Sequence, residues 1–191
     1  WFEKFVSFNN KKKAFFFEKK INIKKIEKKI KLQISQDQNF IEYSEQGLNY
    51  LKEISKIIKR NMGGLLIIDY GYTEKKMKDT LQAISNHKFA KILDNICNVD
   101  ITHNINFELF SKFIKKIGNL ESKITTQKKF LIEIGIKQRA EIISKNLSFS
   151  QKADVYYRLQ KIIDKKYMGD LFKVMLVKNK KNNFQLGFNN W

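Results

Sequence analysis

GGLLIIDYGY, residues 63–72, is the stretch that decides the fold. Leu65 to Ile68 is a short, unbroken aliphatic run without polar alternation, the pattern of a strand buried on both faces, as in a parallel sheet. Upstream, Ser44 offers an N-cap oxygen, and Leu48, Leu51, Ile54, Ile57 and Ile58 then recur at helical spacing. Asn61 and the pair Gly63-Gly64 stop that helix with residues that tolerate positive φ. Helix, glycine stop and buried strand make half of a βαβ unit, so the expected class is α/β. Asp69 then falls at or just past the carboxyl end of a central parallel strand, the edge at which open α/β sheets bind ligands. The alternative is that Asp69 caps the next turn, with Gly71 supplying the φ; a lone Asp-x-Gly does not separate the two.

Downstream, residues 73–106 carry little apolar periodicity but hold His87, Asp94, Asp100, Thr102 and His103. A long irregular segment after a buried strand is expected to be a binding loop. Phe107, Phe110, Ile114 and Ile117 return to helical spacing, ended by Gly118. A strand is expected at about 119–125, a short helix over Gln127 to Ile134 stopped by Gly135, and one or two helices over 137–167. LFKVMLVK, 171–178, reads as a closing aliphatic strand introduced by Met168-Gly169-Asp170.

Upstream of Ser44, WFEKFVSF (1–8) and AFFFEKKINI (14–23) are aromatic and β-branched, with turn chemistry in Asn9, Asn10 and Lys11–Lys13 between them. They read as a β-hairpin whose aromatic faces need a partner, either a core or another subunit. Residues 24–34 alternate Ile and Leu with Lys and fit either an edge strand or a charged helix. The expected division is a β-rich insertion over 1–43, on the substrate side or at a homodimer contact, followed by 44–191.

Composition removes several function classes. The net charge is +19, which by itself favours an acidic partner. The charge is nearly all Lys, with Arg only at 60, 139 and 158, whereas readers of phosphate and base edges favour the Arg fork. The chain is rich in Asn and Ile and contains no Pro, as A/T-biased coding produces, so no nucleic-acid partner is expected. The single cysteine, Cys97, excludes an internal disulfide and suits a reducing compartment. No CxxC or His/Cys ligand spacing exists, so no metal site is expected. The apolar runs fall far short of the roughly 20 residues of a membrane span. The chain opens on Trp1 and ends on Trp191, and is expected to be a portion of a longer chain.

Five motifs in series carry a resemblance: GGLLIIDYGY at 63–72, His87-Lys88, DIT…INF at 100–107, TQKKFLIEIGIKQRA at 126–140 and MGDLFKV at 168–174. Together they resemble the MidA family of class I S-adenosylmethionine-dependent methyltransferases, which includes the mitochondrial complex I assembly-factor arginine methyltransferase. Two departures stand out: a Pro-Gly usual in the family is replaced by Ile96-Cys97, and a Pro before the Met-Gly element by Lys165.

The resemblance implies the C-terminal part of a Rossmann-like sheet. In it 65–69 would be the fifth strand, about 119–125 the sixth and 171–178 an antiparallel seventh, with the hairpin inserted before the fifth. It implies S-adenosyl-L-methionine as cofactor, bound mainly by a glycine-rich turn and a ribose-binding acid expected upstream of Trp1, so that this chain alone would be inactive. It implies a protein substrate, namely an arginine of a respiratory complex I subunit. Asp69, His87 and Asp100 are the catalytic candidates, and Tyr70, Thr102, Gln127 and Phe130 the substrate-binding ones. A cytoplasmic bacterial location is expected, with the mitochondrial matrix as the alternative. The competing readings are a non-catalytic complex I assembly factor on the same scaffold and, behind it, a basic nucleic-acid-binding module with steeply salt-dependent binding.

Overall fold

The computed structural model describes residues 1–94 and 98–189. Ile96 and Cys97, the positions of the Pro-Gly replacement, lie outside the described residues. The elements in order are β1 (Phe2–Phe8), β2 (Ala14–Lys20), α1 (Ile23–Ile30), α2 (Glu45–Asn61), β3 (Gly64–Tyr72), β4 (Gln82–Ser85), β5 (Lys88–Ala90), β6 (Asp100–Thr102), β7 (Ile105–Asn106), α3 (Phe107–Ile117), β8 (Leu120–Thr126), α4 (Gln127–Glu133), α5 (Ile136–Ser144), α6 (Phe149–Ile163), α7 (Met168–Leu171) and β9 (Phe172–Asn179). The fold is mixed α/β. Two compact units divide the chain: Trp1–Glu45 with Lys76–Asn104, and Gln46–Lys75 with Ile105–Trp191. Residues 1–43, expected as a stand-alone insertion, thus share their unit with 76–104.

In the larger unit, β3, β7, β8 and β9 form one sheet in the order β7-β3-β9-β8. β9 runs antiparallel to both β3 and β8, with Ile67 opposite Met175 and Ile124 opposite Met175 across its two edges. β7 adds to β3 in parallel at Gly71 and Tyr72 alone. Val174 to Val177 are all buried, so double-sided burial belongs to β9, the strand with neighbours on both sides. The expectation that Leu65 to Ile68 is buried on both faces is corrected: Leu66 is 43% and Ile68 48% exposed. Side chains on a strand are buried by what packs over each face, and the face carrying Leu66 and Ile68 is only partly covered among the described residues.

Helices close the rest of this sheet. Phe107 and Ile114 of α3 are fully buried, and α3 is N-capped by Asn106, whose side chain accepts from Leu109 N–H at 3.0 Å. Phe130 of α4 packs with Val174, Leu176 and Phe188. Helix α2 buries Leu48, Leu51 and Ile58, while Ile54 and Ile57 of the same apolar recurrence face outward. The residue that takes the left-handed turn after α2 is Met62 (φ 55°), not Gly63 or Gly64, and Gly63 N–H closes the helix end on Ile58 O at 3.2 Å. Gly118 (φ 74°) follows α3 as expected.

One glycine here is sterically required. A Cβ built on Gly71 would lie 2.2 Å from Ile105 O and 2.9 Å from Phe107 Cε2. The first of these is backbone of the paired strand and cannot yield without breaking the β3–β7 register. Gly71→Ala is therefore expected to destabilise by about 1–3 kcal/mol, the usual cost of overpacking, read as a lower urea midpoint at unchanged slope.

In the smaller unit, β1 and β2 form the expected antiparallel hairpin, with Phe5 opposite Phe17 and their rings 5.6 Å apart. Residues 24–34, open between strand and helix, contribute to α1, whose last residue Ile30 is buried. The segment 73–106 is not irregular. Residues 82–102 supply β4, β5 and β6, a three-stranded sheet in the order β5-β4-β6. Strands of three or four residues are too short to register as periodicity.

Glu27 of α1 accepts the Ile34 N–H at 2.8 Å, the Ser35 N–H at 2.9 Å and the Ser35 hydroxyl at 2.8 Å. These bonds, the Ser35 N–H foremost, hold its carboxyl below the usual range. Because the folded value is depressed, the stabilisation is present above the unfolded carboxyl value of about 4.3 and is lost as pH falls through the folded one. Glu27→Gln should therefore lower the urea midpoint at pH 7, by a margin that narrows as the pH falls through the acid range. A deficit that stays the same size as the pH falls would show that the charge contributes nothing.

Candidate functional site

The seven candidate residues divide between the two units. In the larger one, Asp69 sits inside β3, three residues before its end, opposite Lys173 of antiparallel β9. This places it inside the strand rather than at or just past the carboxyl end, where β3 pairs in parallel with β7. Asp69 is half-buried, and its Oδ1 accepts the Tyr70 N–H at 2.8 Å. The Tyr70 ring meets Phe172 edge-on, centroids 5.5 Å apart at 86°, which fixes the phenol beside the start of β9. Asp69 and Tyr70 are thus adjacent and held by backbone pairing.

Gln127 and Phe130 belong to the packing of α4. Gln127 is buried, and its Nε2 donates to Ile162 O at 2.8 Å, tying α4 to the end of α6. The Phe130 ring lies 5.6 Å from that of Phe188 in the core and presents one edge to a cavity of about 560 Å³. That cavity is lined by Leu66, Leu176, Phe184 and Leu186, with Lys178 and Asn182 as its polar members.

In the smaller unit, His87 occupies the two-residue turn between β4 and β5. Asn86 and His87 both take left-handed φ (49° and 61°), as a type I′ hairpin turn demands. Asp100 and Thr102 lie on β6, two residues apart and so on one face. Asp100 is exposed and opposite Ile84, and Thr102 accepts from Gln82 Nε2 at 3.3 Å. The register sets Asp100 one pair from the end of the ladder at which the Asn86-His87 turn lies, so His87 and Asp100 stand at the same end of this small sheet.

The sequence reading missed Glu42. Its carboxylate accepts the N–H groups of Thr80 and Leu81, each at 3.1 Å, and the Thr80 hydroxyl. Nδ1 of His103 lies 4.0 Å from the same carboxylate. Thr80 Oγ1 in turn accepts the Asn104 N–H at 2.9 Å. Glu42 and Thr80 thereby fix the entry to β4 and the exit from β6, the frame that carries Asp100 and Thr102. A lone Glu in an aperiodic stretch gives no sequence signal, and only the fold discloses it.

Chemically, each unit offers its own groups: a carboxylate beside a fixed phenol in the larger (Asp69, Tyr70), and a carboxylate at the same sheet end as an imidazole in the smaller (Asp100, His87). Among the described residues no group of three or more His, Cys, Asp or Glu could hold a metal ion, and no helix is long and apolar enough to cross a membrane. A nucleoside cofactor would need backbone N–H groups at an open glycine turn between a strand and a helix. The glycines outside helix and strand offer none: Gly63 precedes a strand, Gly118 links α3 to β8, Gly135 joins two helices, and Gly187 abuts Phe130. The described residues do not fit such a group.

Comparison with known proteins gives a consistent set of relatives. The model of an S-adenosyl-L-methionine-dependent methyltransferase family matches residues 1–126. The chain is 23% identical over 148 residues to "Protein arginine methyltransferase NDUFAF7, mitochondrial" of Danio rerio, covering 78% of this chain and 35% of that protein. A native crystal structure of an uncharacterized ACR protein from Burkholderia thailandensis superposes with a TM-score of 0.79 at 20% identity, covering 98% of this chain and 51% of that one. A member of the same superfamily from that organism, bound to S-adenosyl-homocysteine, gives 0.77 at 19% identity, with 98% and 49% covered. The chain spans about a third of the length of the Danio rerio protein and about half of each solved structure.

Proposed function

Because the chain belongs to the S-adenosyl-L-methionine-dependent methyltransferase family, of the MidA type, we propose that it forms the substrate-side part of an enzyme that methylates arginine in a protein. The match of the family model to residues 1–126 carries this reading, and the name of the Danio rerio relative supports arginine as the acceptor. The acceptor protein proposed is a hydrophilic subunit of respiratory complex I, encountered in a bacterial cytoplasm or in the mitochondrial matrix.

In this reading β3, β8 and β9 are the fifth, sixth and seventh strands of a longer sheet, an arrangement supported by the order β3-β9-β8 and by the antiparallel β9. The hairpin and α1 are an insertion before the fifth. S-adenosyl-L-methionine is the family's cofactor, and a glycine turn to hold it is not among the described residues. Asp69 and Asp100 are each candidates to contact the acceptor guanidinium, since a carboxylate matches its planar donors. His87 holds or accepts a proton at the rigid turn, and Tyr70 and Thr102 line the acceptor. Gln127 and Phe130 act from behind by anchoring α4.

The second reading is a scaffold that binds the complex I subunit without catalysis. Incubating the intact protein with methyl-tritiated S-adenosyl-L-methionine and the hydrophilic complex I subunits separates the two. Label in a subunit is expected. Stable subunit binding without label would establish the scaffold instead.

A further inference from the structure

The smaller unit holds a cavity of about 500 Å³ beside the strand that carries Asp100 and Thr102. Its floor is made by Ala83 and Ala90, which are directly opposed in the β4–β5 ladder. Two facing alanines leave a depression where larger pairs would fill the sheet surface. Phe16, Leu81, Ile92 and Leu93 wall it. Phe89, on the rim, is 81% exposed and Ala83 beneath is buried, so the depression is broad and open to solvent.

Three further observations bear on what fills it. Among the described residues β5 pairs with β4 alone, which leaves its other edge for an extended chain to pair with. Cations surround the opening: Lys88 and Lys91 flank Phe89 and Ala90, and Lys4 stands 5.6 Å over the Phe16 ring, against Asp94 as the one acid in the lining. By strand alternation Ala83 and Ala90 face the side of the sheet opposite Asp100 and Thr102. Gln82, which also lines the cavity, donates to Thr102 at 3.3 Å, so the cavity borders the candidate residues of β6 from the other face of the sheet.

Resting on the reading that the acceptor is a protein, we propose that this cavity is a docking pocket for that acceptor. It seats a bulky apolar side chain of an acidic, extended segment that pairs with β5. Apolar walls supply the contact, the edge strand supplies main-chain hydrogen bonds, and the lysines select acidic flanks. Because the pocket lies on the other face of the sheet from Asp100 and Thr102, it contributes uniform binding and should govern KM rather than kcat.

The test uses the intact protein and three fluorescein-labelled ten-residue peptides. The first is glutamate-rich with one central Phe, the second has Ser in place of that Phe, and the third has Lys in place of each Glu. Fluorescence anisotropy should show binding of the first, weakened roughly tenfold or more in each of the others. Ala90→Phe fills the pocket from a partly exposed position and should cost the same roughly tenfold, with an unchanged thermal melt as the folding control. Lys91→Glu should weaken the first peptide and flatten its salt dependence. Equal affinity for the Phe and Ser peptides, or unchanged binding by Ala90→Phe, overturns the proposal. Methyl transfer is read separately. Its absence in the parent protein would remove the enzymatic reading while peptide docking stood, whereas a normal KM in Ala90→Phe would remove the docking alone.

Discussion

Asp100→Asn in the intact protein is expected to lower methyl transfer by roughly a hundredfold or more while leaving the thermal melt unchanged. Asp100 is exposed on β6 and shares a face with Thr102, so its carboxylate has no part in the core. Asparagine keeps the shape and removes the charge that would hold a guanidinium. Asp69→Asn should have a similar effect for a related reason. Asparagine retains the Oδ1 that accepts the Tyr70 N–H at 2.8 Å, so the local backbone bond survives and only the charge is lost. Normal turnover by either variant would strike that residue from the site. A fall in stability matched to the fall in rate would give it a structural role instead.

The second large effect concerns the cofactor. Titration of residues 1–191 with S-adenosyl-L-methionine in a calorimeter is expected to show no binding, because no described glycine turn presents N–H groups to a nucleoside. The glycines nearest the sheet are already committed. Gly71 is pressed on Ile105 O, and Gly169 would place a Cβ 2.2 Å from Ile163 O. Micromolar affinity for this chain would contradict the account and place a cofactor cradle within it.

The longer elements were legible in the sequence because their patterns outlast the noise. α2, α3 and α4 follow their apolar spacing, and the hairpin follows its turn residues. The aliphatic run in β3 was over-read. Leu65 to Ile68 looks buried on both faces, but burial depends on what packs over each face, and the one carrying Leu66 and Ile68 is only partly covered among the described residues. The same logic applied to LFKVMLVK would have found the strand that is buried on both faces. β4 to β6 escaped notice because three or four residues cannot display a period. His87 was singled out as an isolated histidine, yet its left-handed φ beside that of Asn86 belongs to a hairpin turn that Asn-His does not announce.

The site was less legible than the fold for a physical reason. A side chain's role depends on partners distant in sequence, as the pairs Glu42–Thr80 and Gln127–Ile162 show. Gln127 and Phe130 stood out because they lie in a recognisable motif, and the fold uses both to fasten α4. Glu42 lay in no motif, yet it frames the strands that carry Asp100 and Thr102.

Residue-level mass spectrometry of the acceptor after incubation with the intact protein and S-adenosyl-L-methionine tests the central claim most directly. The account predicts methylation on an arginine of a complex I hydrophilic subunit, abolished together with turnover in the Asp100→Asn variant. Methyl groups on another residue type, or an acceptor that binds but stays unmodified, would contradict it.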